Sequence, residues 1–140
     1  CEDYEKYKHL LTDDVIRKRV EHVVYEDQRV LDSVKALKEG NLILFGKLMN
    51  QSHDSLRDLY EVTGAELDTL VDEARKQEGV LGSRMTGAGF GGCTVSLVEN
   101  SKIDRFIESV GKAYKDKIGY EASFYISEIG DGGREVEVMA

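Results

Sequence analysis

The spacing of apolar side chains predicts that the first part of the chain forms one long helix. From Thr12 onwards, apolar residues recur at intervals of three and four, as they do along one face of an α-helix. These residues are Ile16, Val20, Val23, Val30, Val34 and Leu37. Thr12 is the expected N-cap, and Gly40 supplies a left-handed stop after the last turn. We therefore expect an amphipathic helix between Thr12 and Gly40.

The same periodicity predicts two further helices in the first half. One is capped by Asn41 and ends around residues 62–64. Its apolar positions are Phe45, Leu48, Met49, Leu56, Leu59 and Tyr60. Thr63 and Glu66 then match a capping box, which opens a third helix that closes near Gly79.

After Gly79 the pattern changes to one that is typical of strands. Residues 82–86 and 93–99 are predicted strands that flank a run of glycines. Ser101 with Asp104 opens a fourth helix that ends near Gly119. Residues 123–129 are a further predicted strand, and residues 134–139 a short edge strand after a glycine-rich turn. This order predicts an α+β domain over residues 1–140, with helices packed on one face of an antiparallel sheet.

Charge and cysteine content narrow the classes of function. The 140 residues carry a formal net charge of -8, which repels nucleic acids and anionic membranes, so neither is an expected partner. The two cysteines, Cys1 and Cys93, do not have the spacing of a metal or redox pair and indicate a reducing compartment. We expect Cys93 to be buried, with Val95 and Leu97 on the same strand face. The first residue is Cys1 and proline is absent, which favours a piece of a longer polypeptide.

The glycine run GAGFGG, from Gly87 to Gly92, matches the pattern G-x-G-x-x-G. A dinucleotide-binding fold is excluded because a strand, not a helix, follows the glycines. A Walker A loop is excluded because no lysine occurs between Lys76 and Lys102. Two interpretations remain: a nest of backbone N–H groups that holds an anion, or a tight connection between packed elements. The spacing alone favours the tight connection.

Three longer stretches carry a resemblance to a known family. GSRMTGAGFGGCTVSLV, at residues 82–98, is similar to the third signature motif of the GHMP small-molecule kinases, in the form that galactokinases carry. RVEHVVYEDQRV at residues 19–30 and FGKLMNQSHDSLRDLYEVTGAELDTLV at residues 45–71 resemble the helical region of galactokinase C-terminal halves. The resemblance covers about residues 12–127, in the expected order. It departs from many galactokinases at Ala88, where they have a third glycine.

The resemblance implies a ferredoxin-like C-terminal domain of a two-lobed, cytoplasmic galactokinase. Such enzymes transfer the γ-phosphoryl group of ATP, with Mg, to galactose and give galactose 1-phosphate. The implied partner of this chain is its own N-terminal lobe, which mainly binds ATP and Mg. By this analogy the catalytic and metal-binding residues lie outside the chain, and the fragment alone is expected to be inactive and prone to self-association.

The resemblance also implies a candidate site, a loop on the phosphate and substrate side of the cleft. Its residues are Thr86, Gly87, Ala88, Gly89, Phe90, Gly91 and Gly92. Gly87, Gly89 and Gly91 are the positions expected to approach a ligand most closely. Three other functions stay open: an N-acetylgalactosamine kinase, a galactokinase-like regulator without catalysis, and a free-standing domain that binds a metabolite or protein.

The remaining polar residues receive structural interpretations. Arg84 is expected to pair with a carboxylate rather than to contact phosphate. Glu26 and Arg29, three positions apart, are expected to form a local ion pair. His22 and His53 are expected to be packed or surface histidines, not metal ligands. Asn50, Ser52 and Asp54 are expected on a polar helix surface.

Overall fold

The computed structural model describes residues 1–130 and 132–133. Its helices are α1 (Glu2–Tyr7), α2 (Asp14–Lys38), α3 (Leu42–Ser55), α4 (Ala65–Arg75) and α5 (Ile103–Ile118). Short 3₁₀ turns cover Lys8–Leu10 and Asn100–Lys102, and a π-helical turn, Leu56–Tyr60, extends α3. The strands are β1 (Val80–Thr86) and β2 (Cys93–Val98). The edge strand predicted at residues 134–139 lies outside the described residues.

The helix ends follow the sequence signals with three corrections. One is at Ser101, which caps no helix: a 3₁₀ turn covers Asn100–Lys102, and α5 begins after Lys102 without a side-chain cap. Asn41 caps α3 through a hydrogen bond from the N–H of Leu44, as predicted. The N-cap of α2 is Asp13 rather than Thr12, because the Asp13 carboxylate accepts the N–H groups of two residues of the first turn. The capping box at Thr63 is wrong. The chain turns one residue later, at Gly64, whose φ of 92° suits glycine.

The two strands form an antiparallel ladder whose register runs from Val80↔Val98 to Thr86↔Cys93. Helices α4 and α5 pack on one face of this sheet. Two buried clusters lie there, one of Leu56, Leu67 and Met85, the other of Ala74, Phe106 and Val110 with Val80 and Val98 against it. The predicted α+β architecture is therefore confirmed, with two strands among the described residues.

The expectation that Cys93 is buried is wrong. Its strand alternates as predicted, but the face that carries Cys93 points away from α4 and α5, so Cys93 is exposed and Val95 is 47% exposed. The face that packs is the other one, which carries Val98. Periodicity identifies the two faces of a strand but not which of them meets the helices.

The strand predicted at residues 123–129 is also wrong. The structure gives this segment no regular secondary structure. Phe124 packs against Phe106 of α5 with ring centroids 6.3 Å apart, whereas Ile129 is 99% exposed. The segment joins neither edge of the sheet, whose order among the described residues is β1-β2.

Helix α2 packs through its polar side. His22 is buried, and Glu26 and Arg29 are partly buried against α3, whereas apolar residues of the predicted stripe face outward. Those that are about half exposed are Ile16, Val23, Val30, Val34 and Leu37. An amphipathic helix normally buries its apolar face, so this stripe has no packing partner among the described residues.

None of the helices that the structure describes is long and apolar enough to cross a membrane.

Candidate functional site

The glycine loop is the connection between β1 and β2. Four of the five residues from Gly87 to Gly91, three glycines and one aromatic residue, have left-handed backbone angles. Their φ values are 77° at Gly87, 86° at Gly89, 55° at Phe90 and 89° at Gly91. Residues with side chains adopt this region only at a cost, so the loop conformation depends on its glycines.

Several N–H groups of the loop have no acceptor among the described residues. Phe90 donates to the carbonyl of Val62 at 2.9 Å, and Gly92 donates to the carbonyl of Gly89 at 3.3 Å. The N–H groups of Gly87, Ala88 and Gly91 have no acceptor within hydrogen-bond reach among the described residues. Successive unpaired N–H groups in left-handed turns are the elements of an anion-binding nest.

The loop glycines serve two different purposes. A Cβ atom at Gly89 would lie 2.0 Å from the carbonyl oxygen of Val62, so this glycine allows the loop to pack on the turn before α4. A Cβ atom at Gly87 or Gly91 would meet nothing within 4 Å. Space is therefore open beside two of the three glycines expected to approach a ligand, and the third is a packing contact.

The turn that holds the loop is itself tied to α2. Arg19 donates to the carbonyl of Leu59 and to the carboxylate of Glu61, the latter at 2.7 Å. Glu61 has a left-handed φ of 59°, which ends the π-helical turn and presents the next carbonyl, that of Val62, to the loop. The position of the loop thus depends on α2 as well as on the strands.

Helix α3 occupies the outer edge of β1. The N–H of Ser83 donates to Oδ1 of Asn50 at 2.9 Å, and the N–H of Met85 donates to Nδ1 of His53 at 3.1 Å. The guanidinium of Arg75 donates to the carbonyl of Ser83 at 3.3 Å and to both side chain and carbonyl of Asn50. Side chains therefore satisfy backbone groups that a third strand would otherwise pair.

Two glycines bring the helix and the strand into backbone contact. A Cβ at Gly46 would lie 2.1 Å from the carbonyl oxygen of Leu81, and one at Gly82 would lie 2.3 Å from the carbonyl oxygen of Gly46. Gly46, Asn50 and His53 occupy positions i, i+4 and i+7 of one helical stripe. The close approach at Gly46 is what lets the short side chains farther along the stripe reach the strand.

His53 is fully buried at this edge, and its protonation is defined by its partners. Because a backbone N–H can only donate, Nδ1 must be unprotonated, and the proton resides on Nε2, which donates to Asp68 at 3.2 Å. Burial, with the nearby charge of Arg75, lowers the pKa of His53. The ring is therefore neutral near pH 7.

A second polar cluster lies between α2 and β1. The carboxylate of Glu26 accepts from Arg29 at 2.7 Å, from Ser52 at 2.5 Å and from Arg84 at 3.4 Å. Burial alone would raise the pKa of Glu26, but these hydrogen bonds and the two arginine charges lower it. The predictions of an ion pair between Glu26 and Arg29 and of a carboxylate partner for Arg84 are confirmed.

The sequence did not reveal the contacts that several polar residues of α3 make. Asn50 and Ser52 were expected on the helix surface, but they reach β1 and α2 respectively, and Ser52 is buried. Asp54 pairs with Arg75 at 2.7 Å. The sequence did contain one indication of these contacts. Asn50 and His53 share a helix face with Gly46, and a glycine on that face allows a neighbouring backbone to approach closely.

Two surface pockets, of about 170 and 380 Å³, lie beside α5, and neither is lined by a residue of the loop. Within the described residues, no three His, Cys, Asp or Glu side chains are grouped as metal ligands would be. The loop is therefore an exposed element with free N–H groups and open space on one side.

A sequence profile described as GHMP kinases C terminal matches residues 33–116 of this chain. The galactokinase of Clostridium perfringens is 60% identical over 134 residues, which are 96% of this chain and 35% of that protein. The galactokinase of Clostridium beijerinckii is 58% identical over 135 residues, again 96% of this chain and 35% of that protein. The chain thus spans about a third of the length of the curated relatives it matches.

Solved structures agree with the sequence matches. The structure of Lactococcus lactis galactokinase complexed with galactose matches with a TM-score of 0.90 at 50% identity, over 94% of this chain and 34% of that chain. The structure of L. major mevalonate kinase in complex with R-mevalonate matches with a TM-score of 0.52 at 28% identity, over 79% of this chain and 34% of that chain. The resemblance found in the three sequence stretches is confirmed, and the chain belongs to the GHMP kinases, whose C-terminal domain it matches.

Proposed function

We propose that the full-length protein carrying this chain is a galactokinase, which transfers the γ-phosphoryl group of ATP to the anomeric hydroxyl of galactose and yields galactose 1-phosphate. The high identity to galactokinases along nearly the whole chain supports this proposal. The structural observation that carries it is the glycine loop, where Gly87, Ala88 and Gly91 keep unpaired N–H groups beside open space.

In this proposal the loop stabilises negative charge on the phosphate side of the reaction. Mg-ATP supplies the phosphoryl group. Fixed N–H dipoles that point at oxygens with growing negative charge lower the energy of the transition state without further reorganisation. Gly87 and Gly91 leave room for the ligand to approach the backbone, and Gly89 holds the loop against Val62. The loop needs no lysine for this purpose, because its donors are backbone groups.

The described residues fit the phosphate group but not the metal ion. Their acidic side chains do not form a group of metal ligands. We propose that the ligands of Mg²⁺, the general base and the sugar contacts belong to the rest of the full-length protein. We also propose that this protein is cytoplasmic, which agrees with the free thiols of Cys1 and Cys93.

The outward stripe of α2 supports a partner surface for that missing part. Val23, Val30 and Val34 are each about half exposed, although their spacing is that of a buried helix face. We propose that the N-terminal lobe covers this stripe in the full-length protein. The isolated chain would then expose it, and we expect the fragment to self-associate at high concentration.

The test is sugar-dependent ADP release by the full-length protein, with galactose and N-acetylgalactosamine compared at equal concentrations. A higher kcat/KM with galactose is the expected result. Preference for N-acetylgalactosamine would contradict the sugar assignment. ATP binding by a folded protein without turnover of either sugar would indicate a regulator. The isolated 140 residues are expected to show no turnover, since the proposed Mg²⁺ ligands, general base and sugar contacts belong to the rest of the full-length protein.

A further inference from the structure

The backbone of β1 is positioned by a histidine just before the glycine loop begins. The N–H of Met85 donates to Nδ1 of His53, which is 0% exposed. Only Thr86 separates Met85 from Gly87. A displacement of the Met85 backbone therefore moves the start of the loop.

The side chain of Met85 connects the same histidine to the middle of the loop. Met85 is buried with Leu56 and Leu67, and Val62 packs against this cluster. A Cβ at Gly89 would lie 3.2 Å from Cε of Met85, so the methionine lies directly beneath Gly89. His53 fixes the backbone of Met85, and Met85 in turn supports both the start and the middle of the loop.

The ring of His53 is itself held from two sides. Nδ1 accepts from β1, and Nε2 donates to Asp68 of α4. The helix that carries His53 touches the strand through Gly46 and Gly82, so the ring has little freedom to follow a shifted strand. The backbone N–H groups of a strand usually donate to a neighbouring strand. Here the N–H of Met85 donates to a single ring nitrogen instead.

We propose that His53, as the tautomer with its proton on Nε2, is a positioning residue for the glycine loop and acts through the N–H of Met85. This inference rests on the proposed kinase function for its kinetic test, but its structural content does not. His53 does not touch a substrate in this account. It determines where the N–H groups of Gly87 and Gly91 point.

The kinetic test uses three variants of the full-length protein. His53→Leu fills similar volume but leaves the Met85 N–H buried without an acceptor, and we expect kcat/KM for ATP to fall about tenfold or more. His53→Asn keeps an acceptor at the position of Nδ1 and should stay within about threefold of the parent. Val110→Ala is the matched control: it removes buried methyl groups from the cluster on α5 and should lower stability without changing kcat/KM.

Hydrogen exchange provides a readout that does not depend on activity. In His53→Leu the amides of Met85 and Phe90, which in the parent donate to Nδ1 of His53 and to the carbonyl of Val62, should exchange faster than in the parent, whereas in Val110→Ala they should be unchanged. The tautomer is read directly from the ring nitrogens of the unmodified protein by nitrogen NMR near pH 7. An unprotonated Nδ1 and protonated Nε2 are expected.

Three results would overturn the inference. One is a protonated Nδ1 in the unmodified protein. Another is a folded His53→Leu protein with unchanged kcat/KM and unchanged loop exchange. The third is a fall of about tenfold or more in kcat/KM for folded His53→Asn, although an acceptor for the Met85 N–H remains, and this result also decides the matter if His53→Leu does not fold. An unmodified protein that phosphorylates no galactose contradicts the proposed function instead, and the exchange and tautomer measurements then decide the inference.

Discussion

Two adjacent stretches of backbone, the outer edge of β1 and the loop that follows it, differ in whether their N–H groups have hydrogen-bond acceptors. At the edge, Ser83 and Met85 donate to side chains of α3. Two residues further on, Gly87 has no acceptor among the described residues. Buried backbone groups are almost always paired, so the two satisfied donors belong to the scaffold, whereas the open donors that follow them fit the binding role proposed for the loop.

The glycines of the two regions differ in the same way. At the edge, Gly46 and Gly82 are needed because two backbones touch. In the loop, Gly87 and Gly91 are needed for their backbone angles and border open space. Substitutions should therefore affect stability at the edge and activity in the loop.

The largest effect is expected at the helix–strand contact. Gly46→Ala places a methyl group 2.1 Å from the carbonyl oxygen of Leu81, so α3 must move away from β1 and its hydrogen bonds to the edge must lengthen. We expect the free energy of unfolding to fall by about 3 kcal/mol or more. Urea denaturation of the full-length protein measures this. Gly130→Ala, where a Cβ meets nothing within 4 Å, should be near neutral, and equal effects in both variants would refute the contact.

In the loop, activity should fall more than stability. Gly87→Val or Gly91→Val forces a side chain into a left-handed conformation and fills the space beside the free N–H groups. We expect kcat/KM to fall on the order of 100-fold, with a stability loss of about 1–2 kcal/mol.

Gly119→Val is the control for backbone strain in the loop. Its φ of 97° is also left-handed and its Cβ also meets nothing within 4 Å, but it ends α5, far along the chain from the loop. It should lose similar stability and retain activity. If the loop variants lose no more stability and no more activity than Gly119→Val, the loop glycines are needed only for the backbone conformation.

A smaller effect is expected when the edge loses its arginine. Arg75→Ala removes hydrogen bonds to Asn50, Asp54 and the carbonyl of Ser83. We expect a loss of about 2 kcal/mol, measured by denaturant unfolding. Arg75→Lys should restore only part of it, because lysine lacks the planar fork. Arg105→Ala, which removes an exposed side chain 3.9 Å from Glu78, should cost less than about 0.5 kcal/mol; a comparable loss there would contradict the account.

The smallest effect is a pH dependence of stability. Burial lowers the folded-state pKa of both His22 and His53 below that of an unfolded histidine, about 6.5. The unfolded chain therefore takes up protons first, so stability is complete above about pH 6.5 and falls as the pH drops below it. Unfolding curves at successive pH values above the range of carboxylate titration measure the slope. His53→Asn should flatten it, and an unchanged slope would show that His53 is not a contributor.

How much the sequence reveals depends on whether a feature is local. The N-cap at Asn41 and the left-handed φ at Gly40 follow from a few neighbouring residues, and the structure has both. The glycine loop could be placed between two strands for the same reason. The exposed face of Cys93 and the unpaired segment around Phe124 could not be predicted, because they depend on which elements lie beside them.

The residues that hold the edge show the same limit. His53 was expected to be packed or on the surface, and it is packed, but its bond to Met85 joins residues 32 positions apart. Gly46 and Gly82 are 36 positions apart by the same numbering, and only their contact explains why short side chains reach the strand. Within the loop, sequence alone could not separate Gly89, which packs on Val62, from Gly87 and Gly91, which do not.

Whether the loop binds phosphate can be measured by an amide NMR titration of the full-length protein with Mg²⁺ and a non-hydrolysable ATP analogue. We expect the amide resonances of Gly87, Ala88 and Gly91 to shift with a common Kd as their N–H groups meet phosphate. The amide resonances of Ser83 and Met85, whose N–H groups already donate to side chains of α3, should not shift. Saturation by the nucleotide without a shift at Gly87 or Gly91 would contradict the account and leave the loop as a tight connection between two strands.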